Sequence, residues 1–402
     1  MARQCQNFID SFTLYMSDKG SPDLYVKWSA IFTVGAAMER TCWLHNSKGI
    51  VYPSQFIILV GPAGVGKSVC TSTASKLLKS INKQGGQFHI APSSVTKASL
   101  IDALNKAERS IVRPHETPAI TSFNSLTAIP NEFGVFLPSW ESDFMSVLTD
   151  IWNCMDYGET RRTKDLNIHM DHTQINLLSA TTPTYLQNLL PEGAWETGFM
   201  SRTLNVYSGQ HVITDVFGDT LHNDELWSAL TKDIKQIYSM FGEFSVTEEA
   251  RTAVNAWNRA GQPPRPDHPK LIGYNARRME HLLKLCMIAS AADSDEMVIT
   301  LDHYAEALDW LVELESFMPD IFKSMIKGGD AEAMEECYYF ALKQWMRKEE
   351  PVPQHMIYAF LQQRSPAHSI DRIIDVMVRA QMFKEVLDNN LGKAYIPRAK
   401  QP

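Results

Sequence analysis

Hydrophobic and polar positions change rhythm twice along this chain, and the changes mark out its parts. Residues 1–50 carry apolar side chains at helical spacing, Phe8, Phe12 and Tyr15, then Trp28, Ile31, Phe32 and Val34, which predicts an N-terminal helical extension. Gln55–Val60 (QFIILV) is instead a short, nearly continuous β-rich run, the pattern of a strand buried on both faces. Helical spacing returns over Ser68–Ile81, and again over SLIDALNKAERSI, with Ser94, Thr96 and Ser99 around the start of that second helix. Ser125–Ile129, Gln174–Ala180 and Thr203–Tyr207 read as three further strands. Strands alternating with helices over about 150 residues predict an α/β core, a parallel sheet flanked by helices.

The second change comes after Gly209. DELWSALTKDIKQIYSMF, EEARTAVNAWNRA, ARRMEHLLKLCMIASAA and LDHYAEALDWLVELESFM are all helical in pattern, broken by the proline-rich GQPPRPDHPK. KGGD at Lys327–Asp330 sets off a last module that reads helix, short helix, helix and a strand-like KAYIP, the order of a winged helix-turn-helix. The expected organisation is an extension over 1–50, a core over 51–210, an all-helical lid over 211–328 and a small C-terminal winged-helix-like domain over 329–402.

Composition narrows the classes. With 402 residues, 44% of them hydrophobic, the chain can bury more than one core. A net charge of −8 excludes a polycation that coats nucleic acid through its overall field. From Glu335 onward the balance is +2 against −10 for the rest, which fits a separate C-terminal module. The six cysteines are scattered with no C-x-x-C pair, so reduced thiols and a cytoplasmic setting are expected. Neither a signal-peptide core nor a run of about 18 apolar residues is found, so no membrane partner is expected.

The chemistry concentrates in Gly61-Pro62-Ala63-Gly64-Val65-Gly66-Lys67-Ser68, which matches G-x-x-x-x-G-K-[ST] and lies between a predicted strand and a predicted helix that continues through Val69. Glycines let backbone N–H groups close around phosphates, Lys67 reaches the β/γ-phosphates and the Ser68 hydroxyl ligates Mg²⁺. ATP and Mg²⁺ are the expected cofactors. The second half of such a site is an acidic pair at a strand end, one member for the metal shell and one to orient the attacking water. In SLTAIPNEFGVFL these positions fall on Asn131 and Glu132. Glu132 is placed as the base, while Asn131 brings an oxygen but no charge to the metal. Asp143 and Asp150 are the weaker alternatives.

VGPAGVGKS, SSVTKASLIDAL, NEFGVFL, RRTKD, NLLSATTP, GFMSRTLNVY and ARRMEHLLKLCMIASA, in that order, resemble a family of AAA+ P-loop ATPases of bacteriophages and mobile elements, helicase-like or joined to a primase. The resemblance covers roughly residues 20 to 320, strongest over Phe56–Tyr207, and extends to the minichromosome-maintenance replicative helicases. It implies a sensor-1 residue at Thr181 or Thr182, an arginine finger at Arg202 supplied to a neighbouring subunit, and a sensor-2 arginine at Arg277, with Arg278 beside it. It also implies a pore hairpin before the sensor strand, with Arg161, Arg162 and Lys164 on a nucleic-acid backbone. A homo-oligomer, a hexamer in these families, would then share each active site, and single-stranded DNA and a primase or replication initiator would be its partners. If phage-encoded, the chain would work in the bacterial host cytoplasm.

Two readings follow. The first is an ATP-driven ring-shaped DNA helicase or translocase in phage or mobile-element replication. The second is an ATP-dependent switch or assembly factor, such as an initiator, loader or defence regulator, without unwinding activity; Asn131 favours it. A small-molecule kinase is weaker, since nothing resembles an acceptor site.

Overall fold

In a computed structural model, the described residues are 3–112, 119–137, 139, 141–161, 166–191, 194–215, 224–327, 330–365, 367–388 and 392–398. The protein is mixed α/β, with sixteen α-helices and several sheets among these residues. It divides into two compact units, Met1–Ile321 and Phe322–Pro402.

The first unit opens with α1 (Phe8–Met16), capped by the Asn7 side chain, and α2 (Asp23–Met38), buried along nearly its whole length. The extension is not helical throughout. Cys42–Asn46 (β1) and Gly49–Val51 (β2) form an antiparallel hairpin, because the Asn46-Ser-Lys-Gly49 turn folds the chain back before the apolar run at Phe56.

The central sheet has five strands, β3 (Phe56–Val60), β4 (Glu108–Val112), β5 (Ile120–Ala128), β8 (Thr173–Thr181) and β9 (Thr203–Tyr207), in the order β4-β5-β8-β3-β9. All its pairings are parallel except β4–β5. Every residue of β3 and β8 is buried, which explains the unbroken apolar run of β3, whereas β8 buries polar Gln174, Asn176 and Ser179 among its apolar positions. The helix expected through Ile111 stops early. Its α4 (Lys97–Lys106) carries a Thr96–Ser99 capping box, and Glu108–Val112 alternates its exposure and joins β5 as an edge strand.

Between these strands lie α3 (Lys67–Lys83), the short α5 (Phe133–Phe136), α6 (Ser142–Ile151), α7 (Pro183–Leu189) and α8 (Gly198–Ser201). Helix α2 packs on α3, β3, β8 and β9, whereas α5 and α6 pack on β8. The hairpin expected before the sensor strand is present as β6 (Tyr157–Arg161) against β7 (Leu166–Met170).

Beyond β9 the unit is mostly helical, with α9 (Asp224–Tyr238), α10 (Glu248–Arg259), α11 (Ile272–Asn275), α12 (Arg278–Asp293) and α13 (Leu301–Lys327), of which the part through Ile321 belongs to this unit. Three two-residue strands interrupt the helices, β10 (Gly242–Glu243), β11 (Ser245–Val246) and β12 (Val298–Ile299).

The second unit contains α14 (Asp330–Lys348), β13 (Val352–Pro353), α15 (Gln354–Gln362), α16 (Ile370–Arg379), β14 (Phe383–Asp388) and β15 (Gly392–Pro397). Its core joins Cys337, Ala341, Ile357, Leu361, Ile373 and Tyr395. FKEVLD is the strand that pairs with the expected KAYIP strand, and the two form the hairpin of a helix-helix-helix-hairpin unit. All six cysteines are free and buried. Among the described residues no helix is long and apolar enough to cross a membrane.

Candidate nucleotide site

Strand β3 ends at Val60, and the chain turns at once through Gly61–Gly66 into α3. The turn cannot carry side chains where it is buttressed. A Cβ on Gly61 would stand 2.1 Å from Tyr25 Oη and 2.3 Å from the Ser208 carbonyl. One on Gly66, whose φ is +81°, would stand 2.5 Å from Ser21 Oγ. Tyr25 Oη lies 2.6 Å from both the Val60 and Ser208 carbonyls, and Ser21 donates to the Gly66 carbonyl at 3.0 Å. The extension therefore shapes the turn from behind. Pro62, Ala63 and Gly64 form an exposed crown, Val65 anchors it in the core, and Ser68 and Val69 are exposed on the first turn of α3.

Lys67 Nζ donates to the carbonyls of Gly61, at 2.8 Å, and Pro62. Burial pulls its pKa below the usual lysine value, and the nearby Glu132 carboxylate opposes that shift. The structure thus brings Lys67 and Glu132 within electrostatic reach across 65 positions of sequence. Glu132 is exposed, immediately before α5. Beside it, Asn131 Oδ1 accepts from Thr71 Oγ1 at 2.9 Å and Ser72 Oγ at 3.4 Å, which ties it to α3.

Strand β8 lies between β3 and β5, so its end sits between the turn and the Asn131-Glu132 pair. Thr181 is buried there and its carbonyl accepts from Gly61 N–H at 3.2 Å. The Thr182 hydroxyl accepts from Tyr185 N–H and caps α7. Tyr185 in turn donates to the Leu137 carbonyl and leaves room beside it only for a glycine at Gly134, so it braces the segment after Glu132.

Arg202 and Arg277 lie elsewhere. Arg202 directly precedes β9, where Thr203 pairs with Phe56, whereas Lys67 lies beyond Val60 at the other end of the same strand pair. Five residues of strand separate those ends by about 16 Å. Arg202 is buried, and its Nη1 donates to the Gly198 carbonyl at 3.0 Å. The guanidinium lies 5.3 Å from the Trp152 ring centre, and that of Arg277 lies 5.9 Å from the same ring. Lys284 is closest to it, 3.7 Å from the centre. A groove of about 390 Å³ between α6 and α8 reaches Arg202 past Ser142, Ser146, Thr149 and Asp150. Asp143 and Asp150 both lie on α6, and Asp150 faces this groove. Arg278 is not interchangeable with Arg277, because it is fully buried and paired with Glu315 at 2.6 Å.

The hairpin arginine is engaged within the chain. Arg161 pairs with Glu159 at 2.5 Å and Asp102 at 2.7 Å, and donates to the Ala98 carbonyl. Arg162 and Lys164 lie outside the described residues.

The turn fits a polyphosphate: its crown presents backbone at a helix N-terminus, with no Cβ space to spare behind it. Oxygen donors for a magnesium ion are at hand in Ser68 and Asn131, and among the described residues no cluster of three or more His, Cys, Asp or Glu forms a metal site. No protein-family model and no curated protein matches the chain. The sequence pattern did not single out Tyr25, Ser21, Tyr185, Trp152 or Lys284, since each reads as an ordinary helix or loop residue until packing brings it to the site.

Proposed function

We propose that the chain is an AAA+ P-loop ATPase in which neighbouring copies share each active site, and that it works as a ring-shaped DNA helicase or translocase in phage or mobile-element replication. The observation that carries this reading is the separation of its two halves. Lys67 and Glu132 lie at one end of the sheet, and Arg202 with Arg277 at the other. Within one chain those guanidiniums are too far from a phosphate on Lys67 to act on it, whereas the groove that Arg202 lines offers a way in for a neighbour's phosphate. The interposed β8 supports the same reading, because it sets a polar Thr181 between the turn and Glu132.

In this scheme the crown and Lys67 hold the β- and γ-phosphates, and Glu132 orients the water. The buried Thr181 is the sensor rather than Thr182, whose hydroxyl caps α7. A bound magnesium ion would supply positive charge to offset that of the phosphates. Ser68 and Asn131 would hold it. Arg202 and Arg277 of the next copy stabilise the charge that develops in the transition state.

Two observations favour the second reading, an ATP-dependent switch without unwinding. Asn131 gives the metal shell no charge, and Arg161 is committed to two carboxylates rather than offered to a DNA backbone. Particle symmetry with ATP and single-stranded DNA, together with a strand-displacement assay, tests both. A closed ring with DNA-stimulated turnover and displacement supports the motor; a ring without displacement supports the switch. A lone subunit under those conditions overturns the shared site.

A further inference from the structure

We infer that Trp152 is the positioning residue that holds Arg202 and Arg277 together as one two-guanidinium clamp for phosphate, with Lys284 as its buried base. The inference rests on the shared-site reading and adds to it a residue that touches neither nucleotide nor water.

The geometry is unusual for a packing tryptophan. Its ring is 1% exposed and has three cationic groups around it, Lys284 at 3.7 Å, Arg202 at 5.3 Å and Arg277 at 5.9 Å from the ring centre. Gathered on one ring, these like charges act against one another, Arg277 on Arg202 and both on Lys284. Glu280 lies 3.4 Å from Arg277, while among the described residues no carboxylate forms an ion pair with Arg202. Glu280 and Asp150 act on Arg202 only at longer range, as Glu280 does on Lys284. What the three cations share is the negative face of the indole, the strongest cation-binding surface among the aromatic side chains.

Two orphaned atoms lie at this cluster. The indole Nε1 of Trp152 and Nε of Arg202 are buried with no hydrogen-bond partner. The Trp152 N–H does not by itself set this ring apart, since the Trp28 indole N–H is also buried without a partner; the three cations over its face do. An Arg202 with an unbonded buried Nε retains capacity for an anion that enters the groove beside it. Lys284 is fixed from below, donating to the Ser54 carbonyl at 3.0 Å and Ser54 Oγ at 3.1 Å. His281 also packs on the ring, with centroids 5.7 Å apart and planes 65° from parallel. Without the indole, the guanidiniums lose the surface that offsets their repulsion, and the clamp opens.

The test uses the full chain with Trp152→Leu and Trp152→Phe, each checked by thermal melting, and steady-state ATP hydrolysis with DNA. Trp152→Leu should lower kcat by about tenfold or more with KM for ATP nearly unchanged, because the nucleotide is held by the other half of the site. Trp152→Phe should fall between Leu and the wild type. Mixing Trp152→Leu with Lys67→Ala chains should restore turnover above the sum of the two, since each supplies the half the other lacks. Wild-type kcat in Trp152→Leu, or equal losses in Leu and Phe, overturns the inference. Should Trp152→Leu fail to fold, a wild-type kcat in Trp152→Phe does the same. Arg202→Ala separates the two levels. If that variant hydrolyses ATP normally, the shared site itself fails; if it is dead and rescued by Lys67→Ala while Trp152→Leu is unaffected, only the platform fails.

Discussion

Phe133 stacks on Phe199 with ring centroids 6.3 Å apart and planes 11° from parallel. The first is the residue after Glu132, and the second lies three positions before Arg202. Phe199 also meets Phe56 at the start of β3, so one buried aromatic cluster joins the acidic end of the candidate site to the arginine end. Each end belongs, in the proposed assembly, to a different nucleotide.

Phe199→Ala should therefore do two things. Emptying a buried phenylalanine site costs about 3–5 kcal/mol, which denaturant unfolding will read directly. It should also reduce the cooperativity of hydrolysis with ATP concentration, because the segments that carry Glu132 and Arg202 lose the ring that joins them through Phe133. An unchanged Hill coefficient in a variant shown to be folded would mean the cluster is structural only.

Lys67→Ala should abolish ATP binding or turnover. The lysine is the one cation held inside the turn, 2.8 Å from the Gly61 carbonyl. A fluorescent ATP analogue and a phosphate-release assay would measure both; normal turnover would remove the site.

Arg202→Ala should leave nucleotide binding nearly intact and slow hydrolysis on the order of 10³-fold or more, the scale of a finger supplied in trans. Turnover should return when this variant is mixed with Lys67→Ala. Undiminished hydrolysis by the variant alone would sink the assignment.

Asn131→Asp should lower the Mg²⁺ concentration needed for half-maximal turnover by about tenfold, since a carboxylate adds charge to an oxygen-only shell. Thr71 and Ser72, which donate to Asn131 Oδ1, can donate to the new carboxylate as well, so the position should be kept. A magnesium titration that does not move would place residue 131 outside the metal shell.

Burial first, then the neighbouring Lys284 charge, pull the His281 imidazole down to about 3. In the unfolded chain it titrates near 6.5. Between those values the unfolded state binds the extra proton, so this group makes stability rise with pH from about 3 to about 6.5. His281→Gln should flatten that part of the curve. Urea midpoints at about pH 4 and pH 7, compared between variant and wild type, check it, and identical slopes would refute it.

Much of the architecture was legible because burial writes itself into residue order. QFIILV is apolar at every position but its first since β3 is covered on both faces, and the Gly61–Ser68 spacing carries its own geometry. The Glu108–Val112 strand escaped notice because ERSIV continues a helical-looking segment, and its strand state depends on pairing with β5. Likewise FKEVLD became readable only beside KAYIP.

Local order along the chain thus determined the glycine-rich turn, the alternation of strand and helix, and the residues Asn131 and Glu132 just beyond a strand end, because those features arise from neighbours in sequence. Which residues meet across space was decided by the tertiary structure alone. Strand order set β8 between β3 and β5, parallel pairing carried Arg202 to the end away from Lys67, and packing gathered Arg202, Arg277 and Lys284 around one indole. The charge on an arginine is the same wherever it stands, so only the folded chain could show which partners it faces.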